Sequence, residues 1–261
     1  MLSHRTLLEG SSQPSALEPL ITAAEQALRT WQPVWSGFVA ADLRDEAQRR
    51  LGSLTDLALA NTGGFEGAER RRLVFQRQDS ARPVAELDAD LSGLEIAGNF
   101  LFDPVSADDL RAALRRGGAA EAEIGDLWRR GDRGGQAVVL ADLARRLDGE
   151  QGQARTVDVR FEARPLEALQ LPTHRPPREL TTVEASVRLD AVASAGFGVS
   201  RSRMVDLIRQ GAVRIDWQPV STPSRPLAVG ERVQLEGRGE LAITSVDATK
   251  RGRLRIVMLR T

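Results

Sequence analysis

The chain has 261 residues, 41% apolar and 28% charged, with 36 cations, 36 acids and zero formal net charge; this suits two or three small globular domains. With no cysteine and only two histidines, His4 and His174, it excludes disulfides, thiol nucleophiles and cysteine- or histidine-rich metal sites, so no cofactor and no metal are expected. No apolar run approaches the ~18–20 residues of a membrane span, and Met1-Leu2-Ser3-His4-Arg5 lacks a secretory signal's apolar core, so a cytoplasmic protein with no transmembrane segment is expected.

The zero net charge hides an asymmetry. Residues 181–261 hold 13 cations and 8 acids, a balance of +5, whereas residues 1–180 hold 23 and 28, a balance of −5. Binding follows the local field, so a nucleic-acid partner remains open for the C-terminal part.

Leu17, Leu20, Ile21, Ala24 and Leu28 recur at helical spacing, as do Leu43, Ala47, Leu51, Leu54 and Ala58. The spacing predicts two amphipathic helices over about 15–60, joined through Trp31-Gln32-Pro33-Val34-Trp35, with a turn at Asn61-Thr62-Gly63-Gly64. Residues 1–71 therefore read as an N-terminal, mainly helical region. Leu73-Val74-Phe75 is a short apolar run, and Leu94, Ile96, Phe100 and Phe102 alternate around Gly98 as a half-buried strand would. Ser106-Ala107-Asp108-Asp109 opens a helix that Gly117-Gly118 stops; Ala137–Leu140 reads as a strand running into a helix, and Val157, Val159 and Phe161 as a final strand. Residues 72–170 are thus expected to form a central α+β domain. A segment rich in Pro and charge, inside 171–181, reads as a linker.

The remainder, 182–261, reads as two helices and then a small sheet. Leu189, Val192 and Ala193 share one helix face, which ends at Gly196-Phe197-Gly198. Ser200 is an N-cap for a second helix carrying Met204, Val205, Leu207 and Ile208, with Gly211 at its left-handed end. Short alternating segments follow at 213–217, 233–235, 241–243 and 254–258. Arg201 and Arg203 lie in the first turn of the second helix, where the macrodipole disfavours cations by roughly a few tenths of a kcal/mol. A phosphate there would meet free N–H groups, the dipole and two guanidinium forks. Alternatively, the two arginines are ion-pair partners of Asp190 and Asp206.

Arg188-Leu189-Asp190, Ser200-Arg201-Ser202-Arg203, Leu207-Ile208, Gly211, Val213-Arg214-Ile215, Pro223-Ser224 and Val229-Gly230-Glu231-Arg232-Val233 occur in an order and spacing that resembles the S4 RNA-binding domain. The resemblance implies RNA binding through the first two helices and the following hairpin, and on matching positions it implicates Arg188, Ser200, Arg201, Arg203 and Arg214. One departure is Asp216-Trp217, where an Asn-Gly turn is usual; an acid there would weaken phosphate contact locally. Enzymes that carry such a module need other parts. No tyrosyl-tRNA synthetase signature is present, and only a short tail follows the module, where pseudouridine synthases place a catalytic domain. A methyltransferase-type cofactor loop would have to be Gly63-Gly64-Phe65-Glu66-Gly67, which is expected to follow a helix.

Gly63-Gly64-Phe65-Glu66-Gly67-Ala68-Glu69-Arg70-Arg71 instead resembles the N-terminal signature of the YlmH family, and Trp217 with Glu236-Gly237-Arg238-Gly239-Glu240 resembles its photosynthetic branch, the photosystem II S4 domain proteins. The resemblance implies an α+β fold: an N-terminal helical region, a central RRM-like α/β sandwich and a C-terminal S4 (αL-like) RNA-binding domain with a strand extension. It implies no catalysis, and structured RNA (rRNA or tRNA) as partner, with the large ribosomal subunit; no DNA-specific signal is seen. The alternatives are an RNA-modifying enzyme with a cryptic catalytic domain, or a photosystem II assembly factor acting through protein contacts. Arg70-Arg71-Arg72 reads as a solvated helix face or an RNA contact, and the central phenylalanines as core rather than as a base-stacking platform. A helix start accounts for Asp108-Asp109, and nothing converges on Asp88, Asp90 and Glu95 to suggest catalysis.

Overall fold

The structure is a computed structural model that describes residues 2–172, 177–235, 238–250 and 252–261. It divides into two units, 1–173 and 174–261, each with its own core.

The first unit begins with α1 (His4–Leu8) and α2 (Pro14–Thr30), the latter opened by Pro14 and closed at Trp31 in a left-handed conformation. Next come β1 (Val34–Val39), α3 (Ala41–Leu51), β2 (Leu57–Thr62) and β3 (Arg71–Arg77), the strands forming an antiparallel sheet in the order β1-β3-β2. Leu17, Leu20, Ile21 and Ala24 of α2 and Leu43, Ala47 and Leu51 of α3 bury against Leu57, Leu73 and Phe75. The N-terminal region is therefore helical but also carries a sheet. Three expectations change with it. The 31–35 connection leads into β1, whose inward positions include Ser36. The second helix stops at Leu51 before Gly52, and Ala58 belongs to β2. Leu73-Val74-Phe75 completes this first sheet and is not part of the central domain. As the middle strand, β3 is buried without alternation over Leu73–Gln76.

The rest of this unit runs β4 (Leu91–Ala97), α4 (Ala107–Arg116), β5 (Ile124–Arg129), β6 (Gly134–Leu140), α5 (Ala141–Leu147), β7 (Gln151–Ala154) and β8 (Val157–Arg164). The sheet order is β5-β6-β4-β8-β7, all antiparallel. Without β7, this is the βαββαβ arrangement. Ser106 caps α4 as expected, accepting from Asp109 N while Asp109 accepts from Ser106 N. Leu94, Ile96, Ala137, Val139, Val159 and Phe161 pack beneath α4 and α5. The opposite sheet face, on which an RNA-recognition motif displays stacking aromatics, is covered here: Val138 packs with Phe38, Leu169, Phe65 and Trp128. Phe75, Phe100 and Phe161 are core residues, as expected, but Phe102 is 93% exposed, because the strand ends at Ala97 and a loop follows.

The second unit opens with β9 (Arg178–Glu184), so the linker expected over 171–181 is already strand from Arg178 on; His174 lies outside the described residues. Then come α6 (Leu189–Phe197), α7 (Arg201–Arg209), β10 (Val213–Ile215), β11 (Gln218–Pro219), β12 (Arg232–Leu235), β13 (Gly239–Ala248) and β14 (Leu254–Arg260). They form one antiparallel sheet, β11-β10-β12-β13-β14-β9. Leu189, Val192, Met204 and Ile208 of the helices bury against Val213, Ile215, Val233, Leu241, Ile243, Ile256 and Met258.

Candidate nucleic-acid interface

The two helices of the second unit meet at a single buried carboxylate. Asp190, in the first turn of α6, is 3% exposed. Its oxygens accept a two-pronged contact from Arg188 (Nε 3.0 Å, Nη2 2.9 Å), a further contact from Arg201 Nη2 (3.2 Å to each oxygen) and the Ala191 N–H (2.9 Å). Burial pushes the Asp190 carboxyl up, but the hydrogen bonds and charges of Arg188 and Arg201 outweigh it, and its pKa lies below the usual aspartate value. Asp190 thereby aims two guanidinium groups that stay about half exposed, Arg188 at 42% and Arg201 at 54%.

The backbone N–H groups at the start of α6 are taken up by the chain, which leaves only the Arg188 side chain to meet a ligand there: Leu189 N donates to Arg225 O (2.8 Å) and Asp190 N to Pro223 O (2.9 Å). Arg225 is itself clamped by Glu231 (2.7 and 3.1 Å), which also accepts from Ala228 N. The start of α7 differs. Ser200 accepts from Arg203 N (3.3 Å), whereas the N–H groups of Arg201 and Ser202 have no acceptor among the described residues. The Arg203 side chain is exposed, and its guanidinium has no partner among the described residues. Of the two ion pairs weighed on spacing, Arg201–Asp190 forms and Arg203–Asp206 does not.

The structure thus brings Arg188, Ser200, Arg201 and Arg203 to the facing starts of α6 and α7. Arg214 stands apart. It lies on β10 between the core residues Val213 and Ile215, and alternation turns it to the sheet face away from the helices. The hairpin turn after it places Asp216 and Trp217 at φ 46° and 70°, the double left-handed conformation of a type I′ turn, which Asn-Gly adopts at lower cost. The Asp216 carboxylate is engaged, accepting from Arg232 N at 3.1 Å.

The Gly63–Arg71 signature also has a local explanation. It follows strand β2, not a helix, and enters β3, so it forms no strand-to-helix cofactor loop. Gly64 and Gly67 have φ +87° and +83°, and a Cβ on Gly63 would fall 2.4 Å from that of Ala68. Asp126 of β5 accepts the N–H groups of Glu69 (2.7 Å) and Arg70 (2.9 Å), and Arg70 donates to Ile124 O and Glu121 O. Arg71 reaches Ala68 O and Asn61, and Arg72 donates to Ser36 O and Ala89 O. The triple arginine is partly buried and engaged with its own chain, not a solvated helix face, and within it Arg70 ties the turn to β5 of the second sheet. The carboxylates set aside earlier are likewise engaged: Glu95 pairs with Arg130 and Arg164, and Asp88 accepts from Asp90 N.

Comparisons with known proteins match these regions. The S4 domain model matches residues 187–233, and the YlmH N-terminal model matches residues 13–80. Ribosome-associated protein quality control protein P2 of Bacillus subtilis (strain 168) is 27% identical over 206 residues, 78% of this chain and 79% of that protein. A solved structure, cell division protein ylmH from Streptococcus pneumoniae, has a TM-score of 0.48 at 15% identity, over 59% of this chain and 92% of that one. The chain carries an S4 domain, and its likeness to the YlmH-like family is supported by the match over residues 13–80 together with that domain and the Bacillus subtilis relative. Among the described residues, no helix is long and apolar enough to cross a membrane.

Proposed function

We propose that this chain is a non-catalytic RNA-binding protein that grips structured RNA, ribosomal or transfer RNA, at the facing starts of α6 and α7, and that it works on the large ribosomal subunit. The observation that carries this is the α7 start. Two N–H groups and an Arg203 fork that have no partner among the described residues, at the positive end of the helix, stand beside guanidiniums aimed by a buried aspartate. The name of the Bacillus subtilis relative supports a ribosomal setting, and the S4 match supports RNA as the ligand. The engagement of Glu95, Asp109 and Asp190 in ion pairs and caps supports a binding role over acid–base chemistry.

Bound phosphates release counterions, so affinity should fall steeply with salt. In co-sedimentation with ribosomal particles across a salt series, Arg201→Ala/Arg203→Ala should bind more weakly, with a log–log salt slope shallower by about one per lost phosphate contact. A variant indistinguishable from wild type would sink the site assignment. Association with photosystem membrane complexes alone, and none with ribosomes, would favour the photosystem II reading drawn from Trp217 and the 236–240 tail, of which Glu236 and Gly237 lie outside the described residues.

A further inference from the structure

The S4 match stops at residue 233, yet the sheet continues through β13 and β14. From Asp247 to Arg255 the sequence carries four cations (Lys250, Arg251, Arg253, Arg255) and one acid, Asp247. Of these, Lys250, Arg253 and Arg255 are exposed. The turn that displays them is closed by its backbone and by Thr249: Thr249 N donates to Arg253 O (2.7 Å), Arg253 N to Thr249 Oγ1 (3.1 Å) and Gly252 N to Thr249 O (3.0 Å). None of these bonds uses a cationic side chain. Lys250, Arg253 and Arg255 have no partner among the described residues. Asp247 accepts from Ser245, and Glu184 from Thr182.

The register places this tip. Leu254 pairs with Glu184, the last residue of β9, and Arg188 lies four residues further on, within about 13 Å of extended chain. The far end of α6 confirms the direction: Gly196 O accepts from Arg260 (3.3 Å), and Phe197 lies under the same guanidinium, at the opposite end of β14. So α6 begins at the tip end of the sheet, and the hairpin cations stand at the same end as Arg188, Asp190 and Arg201.

We propose that the β13–β14 tip is a second phosphate-backbone contact, with Lys250 and Arg253 extending the RNA footprint beyond the S4 helices. This rests on the RNA-binding reading above. The test compares three full-length proteins on bulk transfer RNA across a salt series: wild type, Lys250→Ala/Arg253→Ala and Arg201→Ala/Arg203→Ala. The hairpin variant should have a slope shallower by about two, so that wild type's advantage grows roughly tenfold when salt is diluted fourfold. Its thermal midpoint should be unchanged, and Lys250→Glu/Arg253→Glu should bind more weakly still. If the hairpin variants match wild type while the helix variant loses affinity, this proposal is overturned and the helix site stands. If no variant alters binding, both fall together.

Discussion

Asp190 joins the stability of the second unit to its surface chemistry. It is buried, its two guanidinium partners are half exposed, and it also holds the first turn of α6 through Ala191 N. Replacing it with asparagine removes charge-assisted hydrogen bonds, a loss of about 1–3 kcal/mol, and frees Arg188 and Arg201 to wander. The same change removes a negative charge beside the phosphate site. Asp190→Asn should therefore lower the denaturant midpoint without making the RNA salt slope shallower, since no cation is lost. The pH dependence has a definite sign. A depressed folded pKa means that the carboxylate's contribution is complete above the ordinary aspartate value of 3.8 and disappears as pH falls through the lower folded value. The stability difference between wild type and Asp190→Asn should hold constant from neutral pH down to about 4 and shrink below that. A difference that shrank instead on going from pH 5 to pH 8 would contradict the ion-pair account.

Helix α6 shows why some positions were legible and others were not. Its stop at Gly196-Phe197-Gly198 is readable locally, and Gly198 supplies the left-handed residue at φ 66°. Gly196 is there for another reason: a Cβ on it would lie 2.3 Å from Leu241 Cδ1 and 2.9 Å from Cδ2, and Leu241 is fully buried. Gly196→Ala should cost about 1–3 kcal/mol by overpacking, seen as a lower unfolding midpoint for the second unit while the first unit's is unchanged. That contact spans 45 positions of sequence, beyond any local pattern. The same distinction runs through the molecule. The Ser106 and Ser200 caps, the helix stripes and the alternating strands of 213–258 follow from neighbours a few residues apart. Strand β1 was hidden because its inward Ser36 breaks the apolar alternation while accepting from Leu73 N across the sheet. The helical spacing of Leu54 and Ala58 with Leu51 hid β2. At the site, Ser200, Arg201 and Arg203 were legible as a capped helix start with misplaced cations. The Glu231–Arg225 clamp that closes α6 joins loop positions with no periodicity, and only the folded chain reveals it.

Charge and core are divided along the same boundary. The +5 balance of 181–261 coincides with a cluster of buried residues drawn wholly from 189–258, while residues 1–180 carry the −5 and the first unit holds its arginine run, partly buried, in bonds to its own chain. A fragment of residues 177–261 keeps β9, both helices and every strand of the second sheet, so it should fold cooperatively by itself. Its RNA affinity should equal or exceed that of the whole chain, because the acidic first unit contributes repulsion. The excess should be largest at low salt and vanish once the screening length falls to a few ångströms, near 1 M salt. The complementary fragment, 2–172, should bind RNA only marginally at any salt. Titrating both fragments and the intact chain against the same RNA decides the matter: tight, salt-dependent binding by 2–172 would place the RNA contact in the first unit and remove the basis for assigning it to the α6 and α7 starts.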